Sequence, residues 1–178
     1  MKATGIVRRI DDLGRVVIPK EIRRTMRIRE GDPLEIYTDA GGEVIFKKYS
    51  PVGELASFAE AVAESIAEAT KLSVIISDRD RCVAAAGISK REVLERRNST
   101  KLEEVMESRR VGVFDGGEKA EALEGTNVKM CVAAPILSMG DMNGAVVLAA
   151  SEKSTEPNEA DIKIAQVAAT FLGKQMEQ

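Results

Sequence analysis

The run GRVVIPKEIRRTM, residues 14–26, predicts a β-strand that passes directly into a short helix. The β-branched residues before Pro19 favour the strand, and proline's fixed φ suits the first helical position, where its missing N–H is not needed. At about 100° per residue, Ile22, Thr25 and Met26 share one face of this helix. The other face carries the basic residues Lys20, Arg23, Arg24 and Arg27. The helix therefore has an apolar face to bury and a cationic face to present.

Charge is distributed unevenly along the chain. Residues 1–29 contain nine Lys and Arg against three Asp and Glu, a net charge of +6, so that with −3 overall the other 149 residues carry −9. A basic helix face is in general more often solvated than used for binding. The contrast between this basic head (residues 1–29) and the acidic remainder of the chain, its body, nevertheless favours a polyanionic partner for the head, such as nucleic acid.

The first 50 residues are predicted to form a small unit of strands around this helix. The expected elements are strands at 4–10, 15–18, 34–38 and 43–49, a helix at 19–27, and turns at 11–14 and 40–42. A unit of this size buries only about 60% of its unfolded surface, and no disulfide or metal ligand compensates. The residues therefore predict an obligate dimer in which strands of two chains interleave.

The first 50 residues resemble the AbrB-like transition-state regulators. The matching segments are residues 4–19, 21–24, 34–37 and 47–49. The resemblance implies a dimeric swapped-hairpin β-barrel that binds double-stranded DNA. It also implies that four arginines contact DNA, and these fall on Arg8, Arg15, Arg23 and Arg24. The remaining basic residues are weaker candidates, favoured as solvated neighbours or ion-pair partners: Arg9, Lys20 and Arg27.

After a linker predicted at 51–55, the rest of the chain reads as a helix, two strands, two helices, a strand, a polar loop, two strands and a last helix. This order, with the strand-turn-strand of residues 133–148, resembles a GAF domain, a small-molecule sensor fold. The expected domains are thus 1–50 and 56–178. The fold class is α+β, with a swapped-hairpin barrel followed by a GAF-like antiparallel sheet flanked by helices.

The last helix carries more apolar surface than one sheet requires. Ile162, Ala165, Ala169, Leu172 and Met176 form one stripe, which further apolar residues widen: Ile164, Val167, Ala168 and Phe171. Packing within the chain alone is one interpretation. The width favours contact between chains, so that dimers formed through residues 1–50 would pair into a tetramer through the terminal helices of the GAF-like domain.

Composition argues against most enzyme classes. The chain has no His, so the commonest general base and metal ligand are missing, and neither a metal nor a cofactor is predicted. Cys82 and Cys131 are interpreted as structural thiols, although a redox role stays open. Some GAF domains are methionine sulfoxide reductases, but they use several cysteines. We therefore predict no enzyme activity.

An AbrB-like head joined to a GAF-like body at this length resembles a family of transcription regulators that repress and activate late sporulation genes. The alternative is an antitoxin, because similar barrels occur in toxin–antitoxin pairs. No ligand motif is visible, and the polar groups considered for an effector are Arg81, Arg96, Arg97 and the loop 115–127. Without an apolar run that could span a bilayer or a signal peptide, the expected location is the cytoplasm, with no membrane partner.

Overall fold

The computed structural model of the protein describes residues 4–114, 120–151 and 156–177. The chain divides into a first unit that ends at Tyr49 and a second that begins at Ser50. Among the described residues of the first unit, Pro19 alone is buried. The second unit is built around a six-stranded sheet with an apolar core on each face.

The first unit contains one helix and one β-hairpin. Helix α1 spans Lys20–Thr25, and strands β1 (Leu34–Thr38) and β2 (Val44–Lys48) pair in antiparallel fashion. These elements confirm the helix and the hairpin predicted from the sequence. Pro19 stands at the N-cap of α1, one residue before the position predicted for it.

Residues 4–10 and 15–18 form no strand, so this prediction is wrong for a single chain, and the described residues contain no closed barrel. A strand needs hydrogen-bonded neighbours, and the described sheet of this unit consists of β1 and β2 alone. The β-branched side chains of these segments stay in solvent: Val7 is 87% exposed and Val17 is 71% exposed. A barrel closed by two copies of the unit would be a property of the dimer.

The segment 51–55, predicted as a linker, contains helix α2 (Pro51–Glu54) instead. Ser50 caps this helix, because its hydroxyl accepts a hydrogen bond from the N–H of Gly53 at 3.0 Å, and Pro51 suits the first turn. Val52 is completely buried in the core of the second unit. The apparent linker is thus part of a folded domain.

The second unit alternates helices and strands around an antiparallel sheet. Its remaining elements are α3 (Ala56–Thr70), β3 (Ser73–Asp78), β4 (Cys82–Ala86), α4 (Lys90–Val93), α5 (Thr100–Ser108), β5 (Gly112–Val113), β6 (Ala120–Glu121), β7 (Lys129–Ser138), β8 (Asp141–Ala149) and α6 (Glu159–Gln175). The strand order is β4-β3-β8-β7-β5, and β6 also pairs with β7.

Both faces of this sheet are covered, which explains why its strands are almost continuously apolar. Side chains alternate between the faces along each strand. Val74 and Ile76 of β3 thus point into the core formed with α2, α3 and α6, whereas Ile75 points into the core formed with α4 and α5. The result is a layered α+β domain.

Two glycines allow backbones to approach more closely than a side chain would permit. A Cβ at Gly144 of β8 would lie 2.0 Å from the carbonyl oxygen of Ser77 on β3. A Cβ at Gly173 of α6 would lie 2.1 Å from the carbonyl oxygen of Leu137 on β7. Gly173 therefore lets the last helix pack directly onto the sheet.

Candidate nucleic-acid interface

All but one of the basic residues predicted to contact DNA are exposed in the first unit. Residues 8, 9, 15, 20, 23 and 24 are all exposed, whereas Arg27 is half-buried. Ile22, on the predicted apolar face of α1, is half-buried, while Met26 remains 56% exposed. The cationic face of the helix is therefore presented as predicted, but its apolar face is only partly covered within one chain.

Arg15 is held by the turn that precedes it. Its Nε donates to Oδ2 of Asp11 at 2.8 Å, and its backbone N–H donates to Oδ1 of the same carboxylate at 2.7 Å. Gly14 adopts a φ of 76°, which a glycine tolerates without strain and which lets the chain turn back here. Hydrogen bonds from the backbone and the side chain of Arg15 lower the pKa of the Asp11 carboxyl below its ordinary value.

Arg23 is held in a similar way by the main chain. Its Nε donates to the carbonyl oxygen of Ile18 at 3.2 Å, across the start of α1. The guanidinium groups of Arg8 and Arg24 make no hydrogen bond or ion pair with any described residue. The four arginines are thus of two kinds, two oriented through Nε and two unconstrained.

Arg27 serves the structure of the unit. It adopts a left-handed conformation with φ of 51°, and its carbonyl oxygen accepts a hydrogen bond from Nζ of Lys48 at 2.9 Å. Lys48 also lies 3.8 Å from the carboxylate of Asp32. These contacts tie the end of α1 to the hairpin, which sequence reasoning did not foresee.

Sequence reasoning also missed Asp11 as a partner of Arg15, since it treated Asp11 only as a turn former. A signal was present: an Asp stands four residues before an Arg with a glycine between them, and such a turn brings the two side chains together. The sequence contains no comparable signal for the hydrogen bond from Arg23 to Ile18, because the acceptor is a main-chain carbonyl, which every residue has.

Of the residues considered for an effector, Arg81 and Arg97 are brought together by an isolated antiparallel bridge. Arg81 forms an ion pair with Glu95 at 2.5 Å, and Nε of Arg96 donates to the carbonyl oxygen of Glu92 at 3.3 Å. Arg81, Arg96 and Arg97 are all exposed. Within the loop predicted at 115–127, residues 115–119 lie outside the described residues and residues 120–121 form β6.

Of two clefts in the described part of the second unit, neither is lined by Arg81, Arg96 or Arg97, but the smaller is lined by residues 120, 121, 124 and 125 of the predicted loop. One of about 760 Å³ is bordered by Lys71, Ser73 and Ser151, and another of about 460 Å³ by Lys101 and Lys129. In the described ranges, no group of three or more potential ligands could hold a metal ion. Of the helices described, none combines the length and the apolar character needed to cross a membrane.

Both cysteines are reduced thiols and fully buried. Burial raises the pKa of Cys82 to about 12, and the negative charges of Glu95 and Asp78 act in the same direction. Redox-sensing cysteines are accessible and have a low pKa. Cys82 has neither property.

We expect Cys82 to react with iodoacetamide at pH 8 at least about 100-fold more slowly in the folded protein than in guanidinium chloride, because the thiolate is the nucleophile. The variant Cys131→Ala, which leaves Cys82 as the sole cysteine, allows this rate to be measured by mass spectrometry. The pKa is higher in the folded state, so the free energy of unfolding should also fall as pH rises from about 9 towards 12. Equal rates in both states would contradict the burial of this thiol.

Two family models match separate parts of the chain. A family model described as "Stage V sporulation protein T C-terminal, transcription factor" matches residues 54–177. Another, described as "Antidote-toxin recognition MazE, bacterial antitoxin", matches residues 7–53. The structure is also similar to the GAF domain of the Acinetobacter phosphoenolpyruvate-protein phosphotransferase, with a TM-score of 0.53 and 12% identity over 74% of this chain and 84% of that one. That likeness confirms the GAF-like fold.

Two relatives match the chain, one over its first part and the other over its whole length. The transition state regulatory protein AbrB of Bacillus subtilis is 63% identical over 51 residues, which are 29% of this chain and 52% of AbrB. Stage V sporulation protein T of Bacillus subtilis is 48% identical over 180 residues, with 100% of both chains covered. These matches confirm the predicted combination of an AbrB-like head and a GAF-like body. The chain therefore belongs to the stage V sporulation protein T family of transcription factors.

Proposed function

We propose that this protein binds double-stranded DNA through its first unit and regulates sporulation genes, as a repressor at some promoters and an activator at others. The main support is the set of exposed guanidinium groups on a segment with a net charge of +6. Arginine suits this role because its planar fork can bridge phosphate oxygens or a guanine edge. A protein that acts on bacterial chromosomal DNA works in the cytoplasm, and we propose that location.

The apolar surface of the first unit supports a dimer formed through residues 1–50. Ile10 is 69% exposed, Leu13 70% and Val17 71%, and the segments that carry them have no strand partner in the described chain. Pairing with the same segments of a second copy would complete their hydrogen bonds and bury these side chains. A swapped-hairpin β-barrel satisfies both requirements.

We propose Arg8, Arg15, Arg23 and Arg24 as the residues that contact DNA. In a dimer each of them is presented twice. Arg9 and Lys20 are exposed on the same unit and are weaker candidates, and the contacts of Arg27 within the unit make it weaker still. The domain boundaries that go with this assignment are 1–49 for DNA binding and 50–178 for the GAF-like domain, which includes the segment predicted as a linker.

The outer face of α3 and α6 supports pairing of two dimers into a tetramer. The rings of Phe58 and Phe171 lie 5.5 Å apart across these helices. Phe171 remains 46% exposed and Val167 68% exposed, so apolar surface is left over after the intramolecular packing. The GAF-like fold supports a small-molecule effector as a further partner, and we propose no enzyme activity for this domain.

Salt dependence tests the proposal on the intact protein. If a dimer neutralises four to eight phosphates, the logarithm of the association constant K for DNA should fall with the logarithm of the salt concentration, with a slope of about −4 to −7. Fluorescence anisotropy with labelled duplex DNA between low and physiological salt measures it. Absence of binding even in dilute buffer would contradict DNA recognition.

An antitoxin remains the second candidate, because the MazE model matches residues 7–53. The folded GAF-like unit argues against it, since antitoxins of this kind usually wrap their toxin with a short disordered tail. Deletion of the gene in its own host separates the two functions. Loss of an antitoxin should arrest growth, whereas loss of the regulator should change sporulation and leave vegetative growth intact.

A further inference from the structure

Arg15 and Arg23 are both anchored at the same guanidinium atom. Nε of Arg15 donates to the Asp11 carboxylate at 2.8 Å, and Nε of Arg23 donates to the Ile18 carbonyl at 3.2 Å. Within the described residues, neither arginine uses a terminal nitrogen in a hydrogen bond or ion pair. Each side chain is therefore restrained along its length while its two terminal nitrogens remain available.

The Asp11 carboxylate is itself fixed by the backbone of its turn. Its Oδ1 accepts hydrogen bonds from the N–H groups of Leu13, at 3.0 Å, and of Arg15, at 2.7 Å. The main chain closes around it, since the N–H of Asp11 donates to the carbonyl of Arg15 at 3.1 Å and that of Gly14 donates to the carbonyl of Asp11 at 3.0 Å. A carboxylate held at one oxygen by the backbone can orient a guanidinium with the other.

The orientation through Nε matters for what the arginine can recognise. The O6 and N7 atoms of guanine accept two hydrogen bonds from an arginine in the major groove. When Nε is already occupied, the two terminal nitrogens form the remaining donor pair, and less side-chain entropy is lost on binding. A carboxylate beside the phosphate backbone also repels it, so Asp11 should lower affinity for DNA of any sequence.

Resting on the proposed function, we infer that Asp11 is a specificity-determining positioning residue. It orients Arg15 so that the two terminal nitrogens of the guanidinium meet a guanine edge. Arg8 and Arg24, which have no such anchor, contact phosphates and supply affinity that is independent of sequence. Asp11 thus lowers general affinity for DNA and raises discrimination between sequences.

The test compares Asp11→Asn with Asp12→Asn in the full-length protein. Both changes remove one negative charge, but Asp12 is exposed and makes no hydrogen bond or ion pair with a described residue. The probes are a 30-base-pair duplex (about three helical turns) selected from a random pool by the unmodified protein, and a shuffled duplex of the same composition. The ratio of their dissociation constants measures discrimination.

We expect Asp11→Asn to bind the shuffled duplex as tightly as the unmodified protein or more tightly, while its discrimination ratio falls about tenfold, the effect of losing one bidentate base contact. Asp12→Asn should keep the ratio. In an Arg15→Ala background Asp11→Asn should leave the ratio unchanged, because its partner is gone. The inference would be overturned if Asp11→Asn and Asp12→Asn had equal discrimination ratios. It would also be overturned if Asp11→Asn lowered the ratio as much in the Arg15→Ala background as in the unmodified protein.

Circular dichroism and light scattering establish that each variant is folded and keeps the oligomeric state of the unmodified protein. If Asp11→Asn does not fold, Arg15→Lys provides the second test, since it keeps both the charge and Asp11 but lacks the Nε donor. It should also lose about tenfold in discrimination, because lysine lacks the terminal nitrogen pair as well, and a retained ratio would contradict the base contact of Arg15 on which the role of Asp11 rests. An unmodified protein that binds neither duplex would refute the proposed function itself, which is a separate outcome.

Discussion

The variant Arg24→Ala is expected to weaken binding to DNA about 10- to 100-fold at fixed salt, because a dimer loses two guanidinium contacts at once. The slope of log K against log salt should become less steep by about 2. The side chain of Arg24 is exposed and has no partner within the described chain, so the dimer should stay intact. Arg23→Ala should weaken binding to a comparable degree. Anisotropy titrations at several salt concentrations measure both effects, and sedimentation reports the oligomeric state.

Arg91→Ala is the matched control for this experiment. Arg91 is an exposed arginine of the second unit, so the change removes the same charge from the chain without touching the first unit. The dissociation constant of this variant for DNA should remain within about twofold of that of the unmodified protein, because all the residues proposed to contact DNA belong to the first unit. Unchanged affinity in both the Arg23 and the Arg24 variants would show that α1 does not face DNA.

The variant Gly173→Ala should destabilise the second unit by about 2–3 kcal/mol, because the new Cβ overlaps a backbone atom that cannot move independently. The carbonyl oxygen of Leu137 would lie 2.1 Å from it. Helix propensity alone predicts the opposite sign, since alanine is better than glycine inside a helix by about 1 kcal/mol. Thermal denaturation followed by circular dichroism should show a midpoint lowered by about 5–10 °C.

Lys174→Ala provides the control in the next position of the same helix. Lys174 is exposed, and its removal should change stability by no more than about 0.5 kcal/mol. Gly144→Ala should resemble Gly173→Ala, since its Cβ would meet the carbonyl oxygen of Ser77 at 2.0 Å. A Gly173→Ala protein as stable as the unmodified one would mean that α6 and β7 lie further apart than the structure shows.

Local patterns predicted the elements whose partners lie nearby in the chain. The alternation of residues 34–38 and the glycines that follow predicted the hairpin, and the basic and apolar faces of residues 20–25 predicted α1. The strands expected at 4–10 and 15–18 did not form, because a strand depends on a neighbour that this single chain does not supply. The linker expected at 51–55 is a helix, because burial of Val52 in a distant core outweighs the local turn composition.

The candidate DNA-binding site also has features that the sequence predicts and features that it does not. Its residue types and net charge could be predicted, because arginines that bind polyanions must be many and exposed. The anchors of Arg15 and Arg23 could not, because they depend on where the turn at residues 11–14 and the start of α1 place one oxygen atom.

By itself, then, the sequence determined a basic head, an acidic GAF-like body and the set of arginines offered to DNA, because composition and periodicity are local properties of the chain. Only the tertiary structure decided which arginines are oriented and which are unconstrained, and that Gly173 allows α6 to lie against the sheet. These outcomes depend on distances between atoms that are far apart in the sequence or meet across a turn, and such distances are set when the chain packs.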